Sequence, residues 1–240
     1  MNLHLVIGTP MYGGMCTSEY TQSLLNLSES ANKSGVKLTT IFLGNESLIQ
    51  RGRNTIAHHF MNLPDATHLL FIDADIKFRT EDIVKMIQAD KSLIIGPVAL
   101  KGYNWEEIRQ AAINGEDDIG RTGGVFNINH LPGIDMVNEN EPFEIEHGGN
   151  AFMMIRRDVF ETLKPHTPIY TNGGRSLPDG VEIYDYFRVE INKDTNHLLS
   201  EDYFLCHSYR QVGGKVWCAP WVETGHFGSH LFNGKYTRNN

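Results

Sequence analysis

The apolar positions of the first hundred residues switch between a period of two and a period near 3.6. "LHLVIGTP", residues 3–10, is a β-branched apolar run checked by Gly8 and Pro10, which predicts a first strand opening into the glycine-bearing loop "TPMYGGMCTSEY". From Glu19 to Ser34 the residues Tyr20, Leu24, Leu27 and Ala31 recur at helical spacing, with Gly35 placed to cap the end. "KLTTIFLG", residues 37–44, predicts a second strand, so the chain opens as strand, helix, strand with a parallel pair and a right-handed crossover. Helical spacing returns over residues 47–63 through Leu48, Ile49, Ile56, Phe60 and Leu63, and Pro64 ends it.

A third apolar run, within "THLLFIDADIKFRTED", precedes the helical pattern "RTEDIVKMIQAD", where Thr80 is placed to cap and Glu81 and Asp82 lie where the helix dipole favours anions. "SLIIGPVAL", residues 92–100, predicts another buried strand. Residues 104–150, rich in Gly, Asn, Asp and Glu, read as short antiparallel strands and loops. "AFMMIRRDVFETL" predicts a strand running into a helix. Residues 170–181, with Gly173, Gly174, Pro178 and Gly180, read as a mobile loop. "SEDYFLCHSYRQVGG" predicts a helix with an acidic start and a glycine stop, and "KVWCAPWVETGHFGSH" a last strand with a histidine-bearing tail.

The pattern is that of a single α/β domain over residues 1–240, with no repeat and no long linker. The 21% charged and 40% hydrophobic residues are enough to bury a core. No run reaches the length of a membrane helix and the first residues carry no basic leader, so a cytoplasmic protein without membrane attachment is expected. Cys16, Cys206 and Cys218 lack zinc or disulfide spacing and read as reduced packing residues. A net charge of −8 argues against a general nucleic-acid binder.

Asp73 and Asp75 carry the chemistry. Residues i and i+2 of a strand share a face, so the two carboxylates are expected to project together from the carboxyl end of a buried strand, where open α/β sheets bind ligands. Two carboxylates that close need a counter-cation, and a divalent ion with room for water and phosphate, Mg²⁺ or Mn²⁺, would supply it. A solvated strand end is the plain alternative.

With "FIDADIKF", the preceding "LIQRGRNTIAHHF", the acidic "SEDYFLCHSYRQVGG" and the terminal "GHFGSH" in this order, the chain resembles glycosyltransferases of the GT-A fold. It also looks like the compact members carried by bacteriophages and large DNA viruses, which would place it in a host cytoplasm. The resemblance implies a Rossmann-like, mostly parallel central sheet flanked by helices. Residues 1–103 would form the nucleotide-binding half, and residues 104–240 the acceptor-binding half, with a small antiparallel region. It implies a nucleoside-diphosphate-sugar donor, UDP-sugar favoured, and a hydroxyl acceptor: a glycan, a protein side chain or a modified viral DNA base.

The resemblance also distributes roles. Asp73 would lie near the ribose or metal, Asp75 would be the main metal ligand, and His226, or His230 in its place, a further one. Thr9, Pro10 and Tyr12 would grip the nucleotide, although Tyr12 equally suits packing. Arg51, Arg53 and Asn54 would stand beside the nucleotide sugar, a solvated helix face or an ion pair with Asp73 being the alternative. Lys101 would reach a diphosphate or acidic sugar, or be solvated. Gly148, Gly149 and Asn150 would lie beneath the donor sugar, or form a turn. Asp202, then Glu201, would take the acceptor proton as general base of an inverting displacement, while helix capping accounts for both residues without catalysis. A sugar-nucleotide nucleotidyltransferase and a non-catalytic carbohydrate- or nucleotide-binding module are the competing readings.

Overall fold

A computed structural model describes residues 3–117, 119–133, 138–173 and 177–229; Gly174 and His230 lie outside the described residues. Eight strands form one sheet: β1 (His4–Met11), β2 (Lys37–Gly44), β3 (His68–Ile72), β4 (Leu93–Ile95), β5 (Ile128–His130), β6 (Phe143–Gly148), β7 (Phe152–Arg156) and β8 (Val216–Cys218). Their spatial order is β2, β1, β3, β7, β4, β8, β6, β5. All but β6 and β7 run in one direction, so the sheet is mixed and mostly parallel. Strand β7, late in the chain, is hydrogen-bonded between β3 and β4, which ties the two ends of the sequence into one sheet.

Alternation along these strands explains why helices cover both faces. Val6, Leu69, Phe71, Met153 and Ile155 pack on one side with Ile56, Phe60 and Phe160. Leu5, Ile7, Leu70, Ile72, Phe152 and Met154 pack on the other with Tyr20, Leu27, Ile83 and Met86. Successive side chains of a strand point to opposite faces, so strands apolar at every position must be buried twice. Helices α1 (Ser18–Ser34) and α3 (Thr80–Gln88) supply the second cover, and α2 (Ile49–Met61), α5 (Arg157–Leu163) and α6 (Glu201–Gln211) the first; α4 (Trp105–Asn114) lies outside these two cores.

Gly8 does not stop β1. A Cβ there would stand 2.5 Å from Ile56 Cγ2, so the glycine is what lets α2 lie directly on the strand. Pro10 is tolerated because β3 pairs only as far as Gly8. The far end of α2 is fixed by Arg157, whose guanidinium donates to Phe60 O (3.1 Å), Met61 O (3.2 Å), Ala66 O (2.7 Å) and Leu63 O. Phe60 O and Met61 O belong to the last turn of α2, and Leu63 O and Ala66 O to the turn that follows it, so one guanidinium ties the helix end to the approach to β3.

Several expectations are corrected. Thr80 is not the cap of α3 but its first residue; Arg79 precedes it and clamps Asp82 through two hydrogen bonds of 2.9 and 3.0 Å. The run 92–100 is not one strand. Strand β4 ends at Ile95, and a separate strand, Ala99–Tyr103, pairs with Gly124–Phe126. Residues 105–114 form α4, capped by Asn104 Oδ1 and ended by Gly115 in the left-handed region, where short strands and loops were expected. The ends of the expected 170–181 loop form a ladder, Ile169–Thr171 against Glu182–Tyr184. Cys206 and Cys218 are buried, and burial pushes both thiols up to about 12, but Cys16 is exposed. No helix among the described residues is long and apolar enough to cross a membrane.

Candidate active site

The carboxyl ends of β3 and β4, the turn between β6 and β7 and the amino end of α6 meet at a cavity of about 240 Å³. Carboxyl ends of parallel strands are where such sheets bind ligands, because the chain diverges there and leaves a crevice. Of the residues singled out from the sequence, Arg53, Asp73, Gly149, Asn150, Glu201, Asp202 and His226 line this cavity.

The two aspartates do not share a strand face. Strand β3 ends at Ile72, and Asp73 to Ile76 make a turn closed by Ile76 N donating to Asp73 O at 3.1 Å. Each carboxylate has its own protein cation. Arg53 Nη2 donates to Asp73 Oδ1 at 3.2 Å, and Lys101 Nζ donates to Asp75 Oδ2 at 2.5 Å. The charge conflict expected from two neighbouring carboxylates is therefore met by two side chains, one from α2 and one from the Ala99–Tyr103 strand.

Arg53 is the hub of the polar wall. Its side chain is buried, lies over the Phe71 ring with 5.4 Å between guanidinium carbon and centroid, and its Nε donates to Glu201 Oε1 at 3.3 Å. Burial holds the Glu201 carboxyl above its usual range against the opposing pull of Arg53, with the neighbouring charge of Asp202 acting in the same direction as burial. Ser200 leads into α6 but its hydroxyl does not cap the helix; it donates to Asp202 Oδ1, which also accepts from Tyr203 N at 2.8 Å. One carboxylate oxygen of Asp202 is thereby held in place at the cavity wall.

Asn150 is 1% exposed, and neither its amide nitrogen nor its oxygen has a partner among the described residues. Arg53 Nη1 is likewise buried without a partner. Leaving such groups unmade costs about 1–3 kcal/mol each; single unpartnered atoms also occur elsewhere, at His4, Thr80 and Trp221 for instance, but among the described residues Asn150 alone has two, the donor and the acceptor of its amide.

His226 donates through Nδ1 to Ala99 O at 2.7 Å, and its Nε2 lies 3.6 Å from Asp75 Oδ2. A ring nitrogen fixed by a backbone carbonyl while the other faces a carboxylate is the donor arrangement that metal-binding histidines use. Asp75 and His226 thus fit a divalent ion as two protein ligands. Among the described residues no group of three His, Cys, Asp or Glu side chains converges on one point.

The remaining expected residues stand apart from the cavity. The Thr9 side chain is buried and its hydroxyl bonded to Tyr20 OH at 2.6 Å, while Tyr12 is 75% exposed beyond the end of Pro10 and β1. Arg51 makes a two-pronged ion pair with Glu46 at 2.6 and 2.7 Å. Asn54 is occupied structurally, donating to Asp185 Oδ1 (2.7 Å) and accepting from Phe187 N (2.9 Å). Gly148 packs against Ile128, Ile95 and Asn127, the neighbours that a Cβ would crowd.

Sequence reasoning missed the opposite wall. Asn127 and Ile128 line the cavity; Tyr203 OH donates to Asn127 Oδ1 and accepts from Asn129 Nδ2 at 2.8 Å, and His147 stacks on Tyr203 with centroids 4.0 Å apart. The asparagines of "FNIN" were the available signal, in a stretch read as short antiparallel strands and loops, where Ile128–His130 does pair antiparallel with β6.

The fold has a counterpart in A197 from STIV. That crystal structure matches with a TM-score of 0.51 at 12% identity, over 98% of this chain and 99% of that one. A glycosyltransferase involved in the glycosylation of the major capsid of PBCV-1 matches at 8% identity, over 68% of this chain and 64% of that one, with a TM-score of 0.33. HddC from Yersinia pseudotuberculosis matches at 14% identity, over 66% of this chain and 79% of that one, with a TM-score of 0.32. No protein-family model matches the chain, and no curated protein does. A mostly parallel sheet covered by helices, with small antiparallel ladders at its rim, is consistent with a GT-A-like fold.

Proposed function

We propose that the protein is a glycosyltransferase that moves a sugar from a nucleoside-diphosphate donor, a UDP-sugar by preference, to an acceptor hydroxyl. The observation that carries this reading is Asn150: a buried amide with both a donor and an acceptor unmet, at a cavity lined also by Arg53, with its unmet Nη1, and by Asp73, Glu201 and Asp202. Sugar hydroxyls both donate and accept, so a bound sugar satisfies an amide in both senses where an apolar ligand satisfies neither.

In this reading Asp202, oriented by Ser200 and Tyr203 N, takes the acceptor proton, and displacement inverts the sugar. Arg53 holds Asp73 and Glu201 apart and keeps the polar wall rigid. Asp75 and His226 would hold Mg²⁺ or Mn²⁺, which when bound supplies Lewis-acid stabilisation of the leaving diphosphate. The acceptor is a glycan, a protein side chain or a modified viral DNA base, and the site lies in a protein expected in the host cytoplasm.

A thermal-shift panel of UDP, GDP, CMP and dTDP, with Mn²⁺ or with EDTA, tests the donor half, because a ligand that binds only the native state raises its melting temperature. Release of nucleoside diphosphate from the matching nucleotide-sugar tests the chemistry. No shift with any nucleotide would overturn the proposal, and pyrophosphate release from a nucleoside triphosphate and a sugar phosphate would replace it with nucleotidyl transfer.

A further inference from the structure

We propose that Lys101 holds the cation seat at Asp75 until a diphosphate arrives, so that a divalent ion enters together with the nucleotide and not ahead of it. The inference rests on the donor-binding reading above.

The Lys101 side chain is 47% exposed, but its course is set by its neighbours. Its stem crosses the face of Gly228, where an added Cβ would stand 2.8 Å from Lys101 Cδ and 3.3 Å from Cγ and Cε, and its ammonium ends 2.5 Å from Asp75 Oδ2. The same short strand that carries Lys101 also offers Ala99 O to His226 Nδ1 at 2.7 Å. Gly225–His226 pairs with Ile76–Lys77, and Phe227 N donates to Asp75 O at 2.9 Å. Backbone therefore fixes the lysine, the histidine and the aspartate relative to one another.

Asp75 and His226 would hold the divalent ion, and it would compete with the ammonium that already donates to Asp75 Oδ2. Two cations cannot share that oxygen without strong repulsion. For an ion alone, binding means expelling Lys101 and gaining two protein ligands. With a diphosphate present, phosphate oxygens complete the ion's shell and give the displaced ammonium new acceptors. Lys101 is on this account a positioning residue that acts through Asp75 and makes metal uptake conditional on the donor.

The test is binding of Mn²⁺ alone, followed by loss of the free-ion paramagnetic resonance signal, to the wild type, Lys101→Met and Lys101→Arg. Methionine keeps the stem over Gly228 without the charge, and arginine keeps the charge. The expected result is Mn²⁺ affinity at least tenfold tighter in Lys101→Met and unchanged in Lys101→Arg, with the gain lost when Asp75→Asn is added. Equal or weaker affinity in Lys101→Met, or a gain that survives Asp75→Asn, overturns the proposal. If none of the proteins binds Mn²⁺ even with UDP, this proposal falls, while a nucleotide-induced thermal shift in EDTA leaves the glycosyltransferase reading standing.

Discussion

Replacing Arg53 by methionine removes the cation that pairs with both Asp73 and Glu201 while keeping an apolar stem over Phe71. The side chain of Arg53 is 5% exposed, that of Glu201 14% and that of Asp73 31%. Breaking a fully buried ion pair by deleting one partner costs about 3–5 kcal/mol, and the partial exposure of Asp73 reduces this, so a loss of about 2–4 kcal/mol at pH 7.5 is expected. The folded-state pKa of Glu201 already lies above its ordinary value, and losing Arg53 raises it further. Between the unfolded and folded pKa values the native state binds more protons than the unfolded chain, so native stability falls as pH rises through that window. The deficit of Arg53→Met should therefore be largest at pH 7.5 and shrink toward pH 5, as Glu201 protonates. Urea unfolding of the wild type, Arg53→Met and Arg53→Met/Glu201→Gln at both pH values measures this, and the second substitution should return at least about 1 kcal/mol at pH 7.5. A single mutant within about 0.5 kcal/mol of wild type at pH 7.5, or a double mutant no better than the single, would refute the assignment of Arg53 as the hub.

Asn150→Ala removes a buried amide without partners, so the ligand-free protein should be as stable as wild type or more stable by about 1 kcal/mol, while nucleotide-sugar affinity falls at least about tenfold; calorimetry and a binding titration read the two separately. Asp202→Asn should lower transfer by about 10²–10⁴ with donor binding retained, measured as nucleoside-diphosphate release beside a binding isotherm. Gly96→Ala places a Cβ 2.7 Å from both Phe152 Cδ1 and Val222 Cγ1 and should cost about 1–3 kcal/mol in urea unfolding, because both neighbours are held inside a packed core.

Local pattern alone determined the elements whose signals are local. Strands β1, β2, β3 and β7 and helices α1, α2, α5 and α6 were legible because each is periodic over its own length and is stopped by residues such as Gly35 and Gly213, whose positive φ values only glycine adopts freely. Helix α4 was not read although Trp105, Ile108, Ala111 and Ala112 recur at helical spacing, because that stripe buries only Ala111 and stands in a stretch dominated by Gly, Asn, Asp and Glu. In the candidate site, "RGRN" marked a region but could not rank its members. Arg51 and Arg53 stand about 200° apart around a helix, which is why one pairs with Glu46 at the surface and the other is buried against Phe71. The aspartate pair was visible, but its two counter-cations come from α2 and from residue 101, positions that only the folded chain brings to the same turn. The same holds for Asn150. An asparagine after two glycines reads as a turn, and it becomes a buried amide facing a cavity because β7, 80 residues beyond β3 in the register Phe152↔Ile72, inserts between β3 and β4. Periodicity reports which face of an element is apolar, whereas long-range strand pairing decides which polar residues meet.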